Sequence, residues 1–313
     1  MIFVATSVDE ESISLQSPAK VEVNKSLDAP ADDLEVTFFI DSTIPEIKSI
    51  KAYNGKDLVF DGIVDVQEYK RNIKGTFLNL VARSKAALLL DNEACPQIYY
   101  TPSLFTIFNR HVKPYGFSKF IGDDRSFSAE FVVNKGTSEW EVLEDFCLDY
   151  LKIKPKITVD GVVDVSGESK NSCLLFSNTA NDGIKYSAIT LSDKRYKLYS
   201  EIYAKESEKG NYTLEVKSDA AKKRVIQRVR YLNLSNGVKS SLAYAEAMIK
   251  SAEKSTYEIN LSCPQKISAE VGYLATLDEP LVDKLDNLFI YKVKYILDAN
   301  LERTIITLRK EGR

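Results

Sequence analysis

Histidine is almost absent from this 313-residue chain: His111 is the only one. A serine- or cysteine-based catalytic set with an imidazole base therefore has a single candidate, and no G-x-S-x-G elbow accompanies it. The four cysteines, Cys95, Cys147, Cys173 and Cys263, stand far apart with no C-x-x-C pair. Such spacing indicates neither a zinc site nor a disulfide framework and reads as reduced, mostly buried thiols. Only 13 glycines and 9 prolines are present, which excludes collagen-like and low-complexity classes. The longest apolar run, Ala86 to Leu90, is far too short to cross a membrane. The apolar start, Met1 to Ala5, lacks a basic n-region and runs into Asp9-Glu10-Glu11, so it does not read as a signal peptide. A formal net charge of -3 leaves no basic excess of the kind on which nucleic-acid affinity rests. The P-loop, G-x-G-x-x-G, H-E-x-x-H and calcium-loop patterns are all missing, so no metal or cofactor is expected.

What is present is an ordinary globular composition, 44% hydrophobic and 28% charged, long enough for about two domains. Residues 1–90 read as strands. Val36, Phe38 and Ile40 alternate with Thr37 and Phe39, and Ile47, Ile50 and Tyr53 lead into Asn54-Gly55, a hairpin-turn dipeptide. Leu58 to Val66 follows, then a turn over Asn72 to Gly75 and a returning strand, Thr76 to Ala82. So many short strands are expected to close into a barrel or pack as a sandwich, because open edges invite aggregation.

From about residue 91 the period becomes helical. Pro102 to Val112 has helical spacing and ends near Pro114 and Gly116. Ser138-Glu139-Trp140-Glu141 is a capping box, followed by an apolar stripe of Trp140, Leu143, Cys147 and Leu151. Ile153 to Val165 returns to strand pattern around Asp160-Gly161. In the last third, strands are expected at Tyr196 to Ala204, Tyr212 to Lys217, Tyr257 to Leu261 and Ala269 to Leu277. Helices are expected at Asp219 to Val229 and Ser241 to Lys254, the latter with Leu242, Ala245, Met248, Ile249 and Ala252 on one side. A closing hairpin, Leu288 to Leu297 and Thr304 to Arg309, turns at Asp298-Ala299-Asn300. This hairpin and the one over residues 62–80 look like copies of one design, each returning on Thr, two apolar residues, a small polar one and Leu.

The candidate chemistry is sparse, and no catalytic, cofactor-binding or metal site is assigned. His111 lies late in a helix and reads as a surface or capping residue, because a catalytic role needs a converging nucleophile and acid. Glu139, Glu141, Glu144, Asp145 and Asp149 cluster, but Glu141, Asp145 and Asp149 recur every four residues opposite the apolar stripe. That is the solvated face of an amphipathic helix rather than a glycosidase acid pair. Lys222-Lys223-Arg224, with Arg228 and Arg230, reads as the polar side of a helix-to-strand element, a charged subunit interface being the other reading. Seventeen tyrosines and 14 phenylalanines spread along strands suit barrel core and interface, although a carbohydrate-binding module looks similar.

Three passages, in this order, resemble the late-control gene D family: Val59-Phe60-Asp61-Gly62-Ile63-Val64-Asp65; Gly136 to Leu143 entering a helix and then the Asp160-Gly161 turn; and Tyr291-Lys292-Val293-Lys294-Tyr295 paired with Thr304 to Arg309. Members of that family are hubs of contractile phage baseplates, R-type bacteriocins and prophage tails, and resemble the hub part of type VI secretion spike proteins. The resemblance implies a β-rich α+β fold: a first tube-type barrel at 1–90, a middle α/β region at 91–180 and a second tube-type barrel with helical insertions at 181–313. It implies a non-enzymatic homotrimer whose six barrels join a sixfold tail tube to a threefold spike, with baseplate wedge proteins as further partners. The chain ends at Arg313, so the spike is expected on a separate polypeptide. Synthesis in the bacterial cytoplasm and release by lysis go with that reading, as do the absence of direct nucleic-acid recognition and of a membrane span. The alternatives are a carbohydrate- or receptor-binding tail module and, after it, a cell-wall hydrolase.

Overall fold

The computed structural model describes residues 1–167, 173–205, 210–233, 241–299 and 301–310. In chain order the first strands are β1 (Ile2–Ser7), β2 (Ser12–Leu15), β3 (Lys20–Ser26), β4 (Asp33–Ile40), β5 (Ile47–Asn54), β6 (Asp57–Asn72) and β7 (Gly75–Ser84). A mixed segment follows: α1 (Ala87–Asp91), β8 (Gln97–Tyr99), α2 (Leu104–Ile107), β9 (Lys119–Gly122), β10 (Phe131–Val133), α3 (Glu139–Phe146), β11 (Lys156–Ile157) and β12 (Val162–Val165). Then come β13 (Cys173–Ser177), β14 (Ala188–Asp193), β15 (Glu201–Ala204), β16 (Leu214–Lys217), α4 (Asp219–Lys223), β17 (Val229–Leu232) and α5 (Ser241–Thr256). The chain closes with β18 (Tyr257–Cys263), β19 (Leu274–Glu279), β20 (Asp283–Asp298) and β21 (Leu301–Lys310). These elements form two compact units. Unit 1 holds residues 1–170, 265–268 and 292–304; unit 2 holds 171–264, 269–291 and 305–313.

Unit 1 is organised by period-two burial. On β4, Leu34, Val36 and Phe38 point inward, and on β7 Leu78, Leu80 and Ala82 do the same. The sheet order is β3-β4-β7-β6-β5-β1-β2, with residues 292–298 of β20 paired antiparallel to β3. One core cluster collects Leu15 from β2, Tyr295 from β20 and the inward residues of the strands between them. A sheet whose two ends share a core must be strongly curved. The turns are the ones the dipeptides announce: Gly55 and Gly75 sit at φ +62° and +131° in the β5–β6 and β6–β7 turns. The second core of unit 1 lies in residues 89–165, where Trp140, Leu143, Phe146 and Cys147 pack with Ile107, Phe108, Phe131, Val163 and Val165. The capping box is formed: Ser138 Oγ accepts from the Glu141 N–H, and the Ser138 N–H donates to Glu141 Oε2 at 2.7 Å.

Unit 2 repeats part of unit 1. Its main sheet runs β14-β18-β21-β20-β19-β13. Position by position this is the order β3-β4-β7-β6-β5-β1, with the same sequence order of strands along the chain. The long hairpins agree to the residue: β6 and β20 each have 16 residues, β7 and β21 each have 10, and two residues separate each pair. Adding 226 to any number in β6 or β7 gives its counterpart, since 57 becomes 283 and 84 becomes 310. The buried Leu78, Leu80 and Ala82 of β7 thus correspond to the buried Thr304, Ile306 and Leu308 of β21. The copies differ at one end: β1 lies antiparallel to β5, whereas β13 lies parallel to β19. They also differ by an insertion between β14 and β18. There α5 covers one face of the small sheet β16-β15-β17, packing Ala245 and Ile249 on Ile202.

Several local expectations need correction. Tyr196 to Ala204 is strand only over β15, because Arg195–Lys197 forms a 3-10 turn. The helix expected at Asp219 to Val229 stops at Lys223: Val225 takes φ +54°, and the Ile226 N–H turns back to the Ala221 carbonyl. Helical spacing could not reveal that, since a β-branched residue is a poor left-handed terminator. The strand expected from Ala269 begins only at Leu274. Two of the four thiols, Cys95 and Cys173, are exposed rather than buried, because neither lies on an inward-facing core position; all four are free. Asn300, in the closing turn, lies outside the described residues.

Candidate functional surfaces

His111 is neither a surface nor a capping residue. Its side chain is 1% exposed, on a π-helical turn, Phe108–Val112, that continues α2. Nδ1 donates to Glu139 Oε2 at 2.5 Å, Nε2 accepts from the Tyr99 hydroxyl at 2.8 Å, and the Tyr115 hydroxyl donates to Glu139 Oε1 at 3.1 Å. Burial holds the imidazole below its ordinary pKa, with the Glu139 hydrogen bond opposing part of that shift. Burial also pushes the Tyr99 phenol up to about 12, so it stays a donor. Every polar atom of this imidazole is occupied within the protein. The arrangement has the base-and-orienter look of a catalytic pair, but the nitrogen that would meet a nucleophile is taken by Tyr99. It is a satisfied buried network that ties β8, the π turn and α3 together.

The carboxylate cluster divides. Glu139, which is not one of the three acids spaced every four residues, turns inward to the histidine, because it shares a helix face with the buried Val142, Leu143 and Phe146. Glu141 and Asp145 stay exposed. Although its surface reaches solvent, the protein packed around the Asp145 carboxyl desolvates it, and repulsion from Asp149, Glu144 and Glu141 adds to this, raising it to about 6. Among the described residues no group of three His, Cys, Asp or Glu side chains could hold a metal ion.

The basic residues also separate. Arg224 makes a forked ion pair with Asp193 at 2.9 and 2.6 Å. Arg228 and Arg230 instead place their guanidinium groups 4.8 and 5.6 Å from the centre of the Tyr199 ring. Arg228 lines an open depression of about 340 Å³ with Tyr196, Lys197, Met248 and Ser251. On the face of β15 and β17 turned away from α5, Tyr203 and Tyr231 stack at 5.4 Å, with Tyr203 held between Glu201 and Glu215. In unit 1 the far half of the β6–β7 hairpin leaves Val66, Tyr69 and Ile73 exposed, with Phe39 edge-on to Phe77 at 4.4 Å. The sequence pattern marked the hairpin but not its bareness, which depends on which strands lie beside it.

Neither a family model nor a curated protein matches the sequence. Solved structures do. A tail protein from Neisseria meningitidis MC58 superposes with a TM-score of 0.76 at 14% identity, over 99% of this chain and 97% of that one. A 43 kDa tail protein from prophage MuSo2 of Shewanella oneidensis gives 0.77 at 14% identity, over 99% and 98%. An Escherichia coli component of the type VI secretion system, described as structurally similar to the T4 tail proteins gp27 and gp5, gives 0.56 at 9% identity, over 95% and 74%. At these identities the likeness establishes the fold.

Proposed function

We propose, from a fold shared with solved tail proteins along essentially the whole chain, that this protein is a non-enzymatic hub of a contractile tail or tail-like particle. The observation that carries the reading is the doubled strand pattern inside that fold, with hairpins of equal length 226 residues apart. Three chains with two equivalent units each present six equivalent positions. Such a ring matches a sixfold tube on one face while repeating only three times for a spike. In this reading residues 1–90 and 181–313 supply the two tube-type barrels, and 91–180 and the insertion before β18 face other baseplate parts. Tube, spike and wedge proteins are the partners, and the particle is assembled in the bacterial cytoplasm and freed by lysis. No helix among the described residues is long and apolar enough to cross a membrane. The test is co-expression with candidate tube and spike proteins from the same source, followed by mass photometry and electron microscopy of the complex. Three copies of this chain in a ring are expected. A complex holding one copy or six would sink the reading.

A further inference from the structure

The internal repeat makes one strand edge the template for another. In the second copy, the far half of β20, residues 292–298, pairs with β3 in the register Lys292 to Ser26, Tyr295 to Val23 and Asp298 to Lys20. Subtracting 226 places these residues at 66–72 of β6. Over those residues β6 has β7 on one side and, among the described residues, no strand on the other, since β5 accompanies it only as far as Ile63. The strand equivalent to β3 is β14. Their neighbours fix the alignment: Glu35 opposes Val81 on β7 as Asn260 meets Thr307 on β21, Lys20 opposes Thr37 on β4, and Ala188 opposes Ser262 on β18. β14 is paired to β18 alone, so its outer edge is also bare among the described residues.

Burial tells the same story. At the filled edge Val21 and Val23 are 0% and 6% exposed, and Tyr295 is 7% exposed. At the bare edges their equivalents Ile189 and Leu191 are only partly buried, and Tyr69 is 37% exposed. Even the local surroundings are shared. Tyr69 and Tyr295 both meet the chain segment that crosses to the next strand, through Ile44 in one case and Lys266 in the other. On β14 the bare edge carries Ile189 and Leu191 in alternation with polar residues, and on β6 Val66 and Tyr69 stand exposed; unpaired backbone beside such side chains is open to a further strand.

We infer that residues 66–72 of β6 in one copy pair antiparallel with β14 of the next copy, as residues 292–298 pair with β3. The transferred register sets Gln67 opposite Asp193, Glu68 opposite Ser192, Tyr69 opposite Leu191, Arg71 opposite Ile189 and Asn72 opposite Ala188. Two different surfaces meet, so the contact is head-to-tail and closes a ring when its rotation divides a full turn. The occupant is a second copy of this chain because the filled edge is made by this chain's own sequence. The inference rests on the hub reading for the ring but not for the register.

Cysteine cross-linking tests it. In a chain with Cys95 and Cys173 replaced by Ser, Glu68→Cys combined with Ser192→Cys should form disulfides between copies, since directly opposed strand residues satisfy disulfide geometry. Mild oxidation of the assembled particle or of concentrated protein should then convert the chain into a closed covalent trimer on non-reducing gels. Glu68→Cys with Ala188→Cys, four residues out of register, should stay uncross-linked, as should each single variant. In the unmodified chain, hydrogen exchange at residues 66–72 and 188–193 should slow on trimerisation. A trimer by mass photometry with no cross-link and no slowed exchange there would overturn this pairing and leave the hub intact. Equal cross-linking in the shifted pair would also overturn it. Failure to trimerise in any particle would remove the hub reading itself.

Discussion

The two long hairpins share lengths and topology but solve the same packing position in opposite ways. In the first copy, β6 carries Phe60 and Gly62; in the second, the equivalent residues are Asp286 and Leu288. Phe60 is 1% exposed and its ring lies over Gly62, where an added Cβ would fall 2.2 Å from the Arg83 carbonyl oxygen and 2.7 Å from the ring. Leu288 is fully buried, while Asp286 faces outward. The copies therefore fill this site differently: Asn287 takes φ +57° between Asp286 and Leu288, so Asp286 is turned out while Leu288 stays in the core. Topology is what the copies hold in common; the jigsaw within it is free to differ so long as the core stays filled.

Substitutions can break that comparison. Phe60→Ala empties its site and uncovers Gly62, and should cost about 3–5 kcal/mol, with Leu288→Ala costing about 2–5 kcal/mol. Trp140 is the only tryptophan and lies buried in unit 1. Its fluorescence should report the Phe60 loss in urea titrations at least as strongly as circular dichroism does, whereas Leu288→Ala should move the dichroism first. Equal shifts of both signals in both variants would show that the units unfold as one.

Each unit has its own charge network, and these differ in pH response. Glu258, 6% exposed, accepts from Arg309 and Lys194 in unit 2. Burial alone would raise its pKa, but the hydrogen bonds from Lys194 and Arg309 outweigh it and hold the carboxyl below its ordinary 4.5. The folded state therefore binds the proton less readily than the unfolded chain. That stabilisation is complete above the ordinary value and disappears as pH falls through the folded one. Glu258→Ala should cost about 3 kcal/mol at pH 7 by leaving buried Arg309 uncompensated, and the gap from the unaltered chain should narrow in acid. A pH-independent gap would assign the loss to packing.

The smallest effect belongs to Asp145 in unit 1, whose sign is opposite. Its folded pKa of about 6 lies above the ordinary 3.8. The folded state prefers the protonated form, so stability falls as pH rises between those values and the penalty is full at pH 7. Asp145→Asn should stabilise by a few tenths to about 1 kcal/mol at pH 7, given its exposure to solvent, and by nothing near pH 3. Thermal melts at both pH values check this, and a gain at low pH would refute the account from desolvation and repulsion.

Local chemistry was readable wherever a residue acts on its own neighbours. The turns at Asn54-Gly55 and Asp160-Gly161 and the cap at Ser138 lie where the pattern put them, because left-handed backbone and orphan amides are demands met within a few residues. The α4 ending at Val225 was not readable, since nothing local favours φ +54° at valine. The burial of His111 is not local either: its partners Tyr99 and Glu139 come from 12 and 28 residues away, and only packing converges them. The hairpin likeness was visible as a repeat of apolar alternation, yet its meaning was not, because alternation says which face is inward and nothing about which strand lies beside which.

By itself, then, the sequence determined the strand-rich character, the turn positions, the α3 cap and the presence of two similar hairpins. Each depends on short-range sterics, hydrogen bonding or the period of apolar residues. Only the tertiary structure decided the strand order β3-β4-β7-β6-β5-β1 and its echo β14-β18-β21-β20-β19-β13, the burial of His111, and which edges are filled and which are bare. Those properties are set by pairings between residues far apart in the chain, where the free energy comes from area buried jointly and no single segment carries the signal.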